Sequence, residues 1–140
     1  MKEDLKKSEL ENGRISPVRI IAMNKTPEGY SENKWQDYIE IKVPSLLTIN
    51  ACASANYSGP TANAGIRLYV KLNGQRVAAD MSFEGESSTV TFFSSASTTI
   101  YLEPGRHNLE VYREDIRVNS NFKLDVNYFA VFAKKYRIIG

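Results

Sequence analysis

Apolar and polar residues alternate with a period of two along most of the chain from Ile15 onward. Val18, Ile20 and Ala22 alternate with Arg19 and Ile21, which predicts a first strand. Asn24, Pro27, Gly29, Ser31 and Asn33 make residues 24–35 a loop by composition. Ile39, Ile41 and Val43 then alternate with Tyr38, Glu40 and Lys42 as a half-buried strand that Pro44 ends. In the next strand Leu47, Ile49, Ala51, Ala53 and Ala55 share one face, and Leu46, Thr48, Asn50, Cys52 and Ser54 the other. Small residues on both faces from Ala51 onward suggest that another layer approaches closely there. Residues 56–65 have loop composition.

The strongest local signal is a hairpin over residues 66–83. Ile66, Leu68, Val70 and Leu72 alternate up to Asn73-Gly74, and Val77, Ala79, Met81 and Phe83 alternate after it. Asn-Gly is favoured in a type I′ turn because both positions need φ > 0. Residues 85–88 are a further turn, Thr89–Ser95 and Ile100–Leu102 are strand-like, and Pro104-Gly105 turns the chain again. Leu109 and Val111 alternate with Asn108, Glu110 and Tyr112. A polar stretch from Arg113 to Asn121 leads to a last strand with Phe122, Leu124, Val126, Tyr128 and Ala130 on one face. No helical period persists between residues 15 and 140. Eight to ten short strands with turn signals predict an all-β antiparallel sandwich or barrel.

Residues 1–14 are different. They carry Lys2, Lys6, Lys7 and Arg14 against Glu3, Asp4, Glu9 and Glu11, and only Leu5 and Leu10 are large and apolar beyond Met1. One apolar pair cannot anchor a helix alone, so this segment reads as a mobile arm or short helix ahead of one domain over residues 15–140.

Composition narrows the function classes. The chain has 140 residues with 42% apolar and 24% charged, enough to fill one domain core. A net charge of +2 lacks the concentrated positive charge of nucleic-acid binders. The basic tail Lys134-Lys135-Tyr136-Arg137 reads as a solvated strand end. No apolar run approaches a membrane span, and Met1–Lys7 has no apolar signal core, so no membrane insertion is expected. The single Cys52 excludes an internal disulfide, and the single His107 excludes a histidine-rich metal centre such as that of a cupin. Cys52, between Ala51 and Ala53, reads as a small buried hydrophobe. His107 reads as a strand-edge residue and not as its catalytic base. Glu84, Glu86, Glu114 and Asp115 lie in loops too poor in oxygen ligands for calcium. The glycines form no phosphate-binding pattern. No cofactor, metal or catalytic residue is expected, and the chain reads as non-enzymatic.

Several features together resemble a known family. They are Val43-Pro44 before a small-residue strand, Leu72-Asn73-Gly74 with Gln75-Arg76-Val77, the turn Leu102-Glu103-Pro104-Gly105, and the final Tyr128-Phe129-Ala130-Val131-Phe132. Over residues 38–132 the chain resembles the globular head domain of complement-type proteins, shared with tumour necrosis factor-like cytokines and with bacteriophage fibre and virion domains. The segment from Leu102 to Val111 is also similar to turns common in phage tail and fibre domains. The resemblance implies a ten-strand jelly roll that assembles as a homotrimer, with its last strand near the threefold axis. The absence of a signal core and a disulfide pair fits a phage or bacterial origin better than a secreted animal protein.

The aromatics supply the candidate surfaces. Tyr69, Tyr101 and Tyr112 alternate out of phase with core residues, and Phe129 and Val131 oppose Tyr128 and Ala130. Apolar residues on non-core faces suggest a buried contact, and Tyr is favoured there. These five are therefore the candidate oligomer interface. The arm 1–14 would engage a neighbouring virion or assembly protein. An alternative function is a soluble carbohydrate-binding jelly roll. Tyr30, Trp35 and Tyr57 would stack on a surface glycan, with Asn56 and Asn63 as hydrogen-bond partners.

Overall fold

The computed structural model describes residues 19–58, 64–84, 89–116 and 120–133; these contain eight strands and no helix. They are β1 (Ile20–Lys25), β2 (Lys34–Ile41), β3 (Ser45–Ser58), β4 (Ala64–Leu72), β5 (Gln75–Glu84), β6 (Thr89–Leu102), β7 (Gly105–Ile116) and β8 (Ser120–Phe132). They build two four-stranded antiparallel sheets, β1-β8-β3-β6 and β2-β7-β4-β5. The chain crosses between sheets at every connection except the β4–β5 hairpin. This strand order is that of a jelly-roll sandwich.

The inner faces follow the period of two. Leu47, Ile49, Ala51 and Ala53 of β3 meet Ala130, Tyr128, Val126 and Leu124 of β8 in register, and these residues and Ala55 are buried. Ile39 and Ile41, then Ile66, Leu68, Val70 and Leu72, and Leu109 and Val111 close the core from the other sheet. Asn73 (φ 52°) and Gly74 (φ 83°) form the expected two-residue turn. The turn is docked as well as formed. Asn73 Oδ1 accepts the Asn108 N–H (2.9 Å), and the Asn73 N–H donates to the Asn108 carbonyl (2.8 Å).

Five local expectations need correction. Trp35 lies in β2, not in a loop, because the alternation extends back to Lys34. β6 is one continuous strand from Thr89 to Leu102. β7 runs on through Arg113, which keeps the inward phase of Leu109 and Val111 and is only 4% exposed. The Arg113 Nη1 group lies 3.4 Å from the Lys123 carbonyl, and the backbone N–H donates to Asn33 (2.8 Å). Cys52 is exposed, because its neighbours Ala51 and Ala53 take the inward positions. In β1 a bulge between Ile20 and Ala22 breaks the predicted phase, so Ile20 turns outward, 52% exposed, while Ala22 packs against the core. The arm 1–14, Asn63 and the tail 134–137 lie outside the described residues.

A carboxylate ties the sheets together along each open side of the sandwich. Between β1 and β2, Asp37 Oδ2 accepts from the Tyr128 hydroxyl (2.5 Å) and from Asn24 Nδ2 (2.9 Å). Burial, then the bond to Asp37 and its charge, push the Tyr128 phenol well above its usual range. Between β5 and β6, Asp80 Oδ2 accepts from the Ser94 hydroxyl (2.7 Å) and the Ser95 N–H (3.0 Å). Thr26 finishes β1: its N–H donates to the Val126 carbonyl (2.9 Å) and its Oγ1 accepts the Val126 N–H (3.0 Å).

Two outcomes follow. Replacing Gly74 by Val should cost about 1–2 kcal/mol of stability through the positive φ. An added Cβ meets nothing within 4 Å, so sterics contribute nothing, and Gly74→Asn should be nearly neutral. Thermal melts of both variants check this. The bond to Ser94, aided by backbone N–H groups, holds Asp80 below the ordinary carboxylate range. Its contribution is therefore present above about pH 4 and fades as pH falls through the lowered value. Melts of wild type and Asp80→Asn across pH 2–7 should differ most near neutrality and converge in acid.

Candidate functional site

The register of the first sheet orders its outer face into cross-strand rows. One row spans all four strands and is wholly apolar or aromatic: Ile20 beside Val131, Val131 beside Leu46, Leu46 beside Tyr101. Met23 and Phe129 of the next row extend it, continued by Thr48 and Thr99, whose hydroxyls are 3.0 Å apart. Beyond lie Lys25, Asn127, Asn50 and Ser97, with Asn50 Nδ2 donating to Asn127 Oδ1 (3.2 Å). Asp125, Cys52 and Ser95 form the row after that. These small polar residues floor a cleft of about 310 Å³. Partial burial first, then the Asp125 charge, raise the Cys52 thiol above its ordinary range.

The exposure along the apolar row is high for such residues. Ile20 is 52%, Met23 67% and Leu46 39% exposed. Val131, Phe129 and Tyr101 are half-buried by their neighbours. Contiguous apolar residues open to solvent mark a contact surface.

The outer face of the second sheet has the opposite character. Its rows are charged and internally matched: Lys34 pairs Glu110 (3.0 Å), Arg67 pairs Glu114 (3.8 Å) and Arg106 pairs Glu40 (3.8 Å). The Lys34 bond and the nearby Lys71 charge keep Glu110 below its ordinary range. Tyr69 and Tyr112 are cross-strand neighbours here, stacked with centroids 5.0 Å apart. The five expected interface residues are thus divided. Tyr101, Phe129 and Val131 share the first sheet's outer face, and Tyr69 and Tyr112 lie on the far side of the molecule. Sequence reasoning missed Ile20, Met23 and Leu46. Leu46 was legible as opposite in phase to Leu47, but the bulge that exposes Ile20 leaves no mark in the residue pattern.

Of the expected glycan-binding residues, Tyr30, Trp35 and Asn56 have described side chains. Trp35 packs against the core at 6.2 Å from the Tyr128 ring centroid. The Tyr30 hydroxyl donates to the Lys34 carbonyl (2.5 Å), and burial raises its phenol above the usual range. Both rings are engaged in packing. Asn56 lines a groove with Ser54, Thr91, Lys123 and Phe93, the last 67% exposed. Tyr57 belongs to β3, with its side chain outside the description.

Cys52 opens from the first sheet, whereas His107 belongs to the second, held between Asn73 Nδ2 (2.9 Å) and the Glu103 carbonyl (2.8 Å). The two do not meet. Among the described residues no group of three His, Cys, Asp or Glu side chains converges to hold a metal ion. Nor is any helix there long and apolar enough to cross a membrane.

No protein-family model matches the chain. No curated protein matches it. Among solved structures it is similar to the globular domain of the zebrafish complement 1qA protein, at 14% identity over 71% of each chain with a TM-score of 0.39.

Proposed function

We propose that this chain is a non-enzymatic structural or attachment module of a bacteriophage virion that joins copies of itself, as a homotrimer, through the outer face of β1-β8-β3-β6. The carrying observation is the row Ile20–Val131–Leu46–Tyr101 with Met23 and Phe129 beside it. Covering these side chains removes apolar surface from water, the main favourable term in association. Below the row the face carries amides, hydroxyls and one thiol, with Lys25, Asp125 and Lys123 as its charges, so a second copy can approach it while desolvating few ions. The second sheet's matched ion pairs suit permanent contact with water. The threefold count and the virion setting rest on the resemblance of the Leu102–Val111 turn and the final strand. In this reading residues 1–14 engage a neighbouring virion protein.

The test is light scattering on the purified protein and on Val131→Asp at equal concentration and neutral pH. The wild type should have three times the 15.8 kDa chain mass. Val131→Asp places a carboxylate in the middle of the apolar row, repeated in every copy, and should give the monomer. Residue 131 faces away from the inner core, so the monomer should keep its β circular dichroism. A monomeric wild type, or a mutant assembly of unchanged mass and stability, would contradict the proposal.

A further inference from the structure

Lys71 and Arg76 stand directly opposite each other on the exposed face of the β4–β5 hairpin. Like charges in that position destabilise a strand pair. The other cations of this sheet face have carboxylates: Glu110 for Lys34, Glu114 for Arg67, Glu40 for Arg106. Arg76 makes no ion pair among the described residues. Lys71 shares the field of Glu110, whose close partner is Lys34. Both cations are placed by aromatic rings instead. The Arg76 guanidinium lies 5.7 Å from the Tyr69 centroid, and the Lys71 ammonium 5.4 Å from that of Tyr112. Each of the two stacked tyrosines thus carries one positive group at the surface.

Next to this pair the sheet carries a groove of about 310 Å³ lined by Arg67, Tyr69, Arg76, Ala79, Asp80 and Met81. Ala79 stands opposite Tyr69 with only a methyl group, so the floor there is low and apolar. Met81 forms a soft wall, 57% exposed. The Asp80 carboxylate is directed to Ser94 and Ser95.

We propose that this groove binds a carboxylated sugar residue of an acidic polysaccharide, with Arg76 taking the carboxylate, Lys71 adding positive field from outside the groove, and Ala79 and Met81 meeting the C–H face of the ring. A guanidinium offers a planar fork that matches a carboxylate in two parallel hydrogen bonds. Placement over Tyr69 orients that fork in advance and reduces what binding must order. A bare inorganic anion would use the cations and leave the apolar floor without a role. The ligand charge would also relieve the Lys71–Arg76 opposition. The site lies on the sheet opposite the self-contact row and does not depend on it. Where copies do assemble, each presents the groove outward, and a polymer can engage several at once.

The probe is a tetrasaccharide alternating glucuronate and N-acetylglucosamine, titrated into the full chain by calorimetry and NMR. Its carboxyl-reduced form is the matched neutral probe. The acidic probe should bind, more weakly as salt rises, and the reduced probe should lose at least about tenfold in affinity. Arg76→Gln should lose a similar factor, and Arg76→Lys, which keeps charge without the fork, should fall between. Arg106→Gln, on the same face over Tyr38 but paired to Glu40, should bind as wild type. Circular dichroism and light scattering of each variant should be unchanged, which separates this result from the assembly proposal. No binding at millimolar probe, equal binding of the reduced form, or indifference to Arg76→Gln would overturn the proposal. Complete competition by inorganic sulfate at constant ionic strength would overturn the sugar assignment.

Discussion

The register of β3 is the constraint on which the rest of this molecule depends. Ser45 through Ser58 pairs residue by residue with Leu102 through Thr89 on one side, and with β8 for most of its length on the other. A slip of one residue would turn Leu47, Ile49 and the three alanines out to water and bring Asn50, Cys52 and Ser54 inside. Fixing that register fixes both faces together. The inner face becomes the shared core of the sandwich. The outer face inherits Leu46, Thr48, Asn50 and Cys52 in that order, so its change from apolar to polar runs along the strand.

The sandwich then has two outer surfaces of opposite chemistry. On β2-β7-β4-β5, lysines and arginines alternate with glutamates and tyrosines, and most charges meet a partner on the next strand. On β1-β8-β3-β6 a full cross-strand row is apolar. The sheets are held face to face by core burial, and Asp37 and Asp80 connect them along the two open sides. Each carboxylate accepts two hydrogen bonds, so each links strands that share no ladder.

The fold was legible because the apolar period is two nearly everywhere and Asn73-Gly74 marks the single hairpin that stays within a sheet. The jelly-roll strand order itself came from the family resemblance, since alternation alone does not choose which strands pair. Arg113 was misread because residue type suggested a loop, while its position kept the inward phase of the strand. Cys52 was misread for the converse reason: its small neighbours were read as a buried stretch, although its phase pointed outward. Of the candidate surface, Tyr101, Phe129 and Val131 were legible from phase, whereas their separation from Tyr69 and Tyr112 depends on which sheet each strand enters. Within the aromatic loop set, Trp35 was misplaced, since it belongs to a strand whose inner face it helps to cover.

Cys52 offers the most direct test that the first sheet's outer face is the contact surface. It is exposed near the middle of that face, and it is the chain's one thiol. The measurement is the rate of its alkylation by a maleimide as protein concentration is raised at fixed pH. A buried contact should slow labelling as copies associate, while Val131→Asp reacts at one rate throughout. An assembled protein whose Cys52 reacts as fast as that of the dilute chain would contradict the account, because its copies would then meet through another surface.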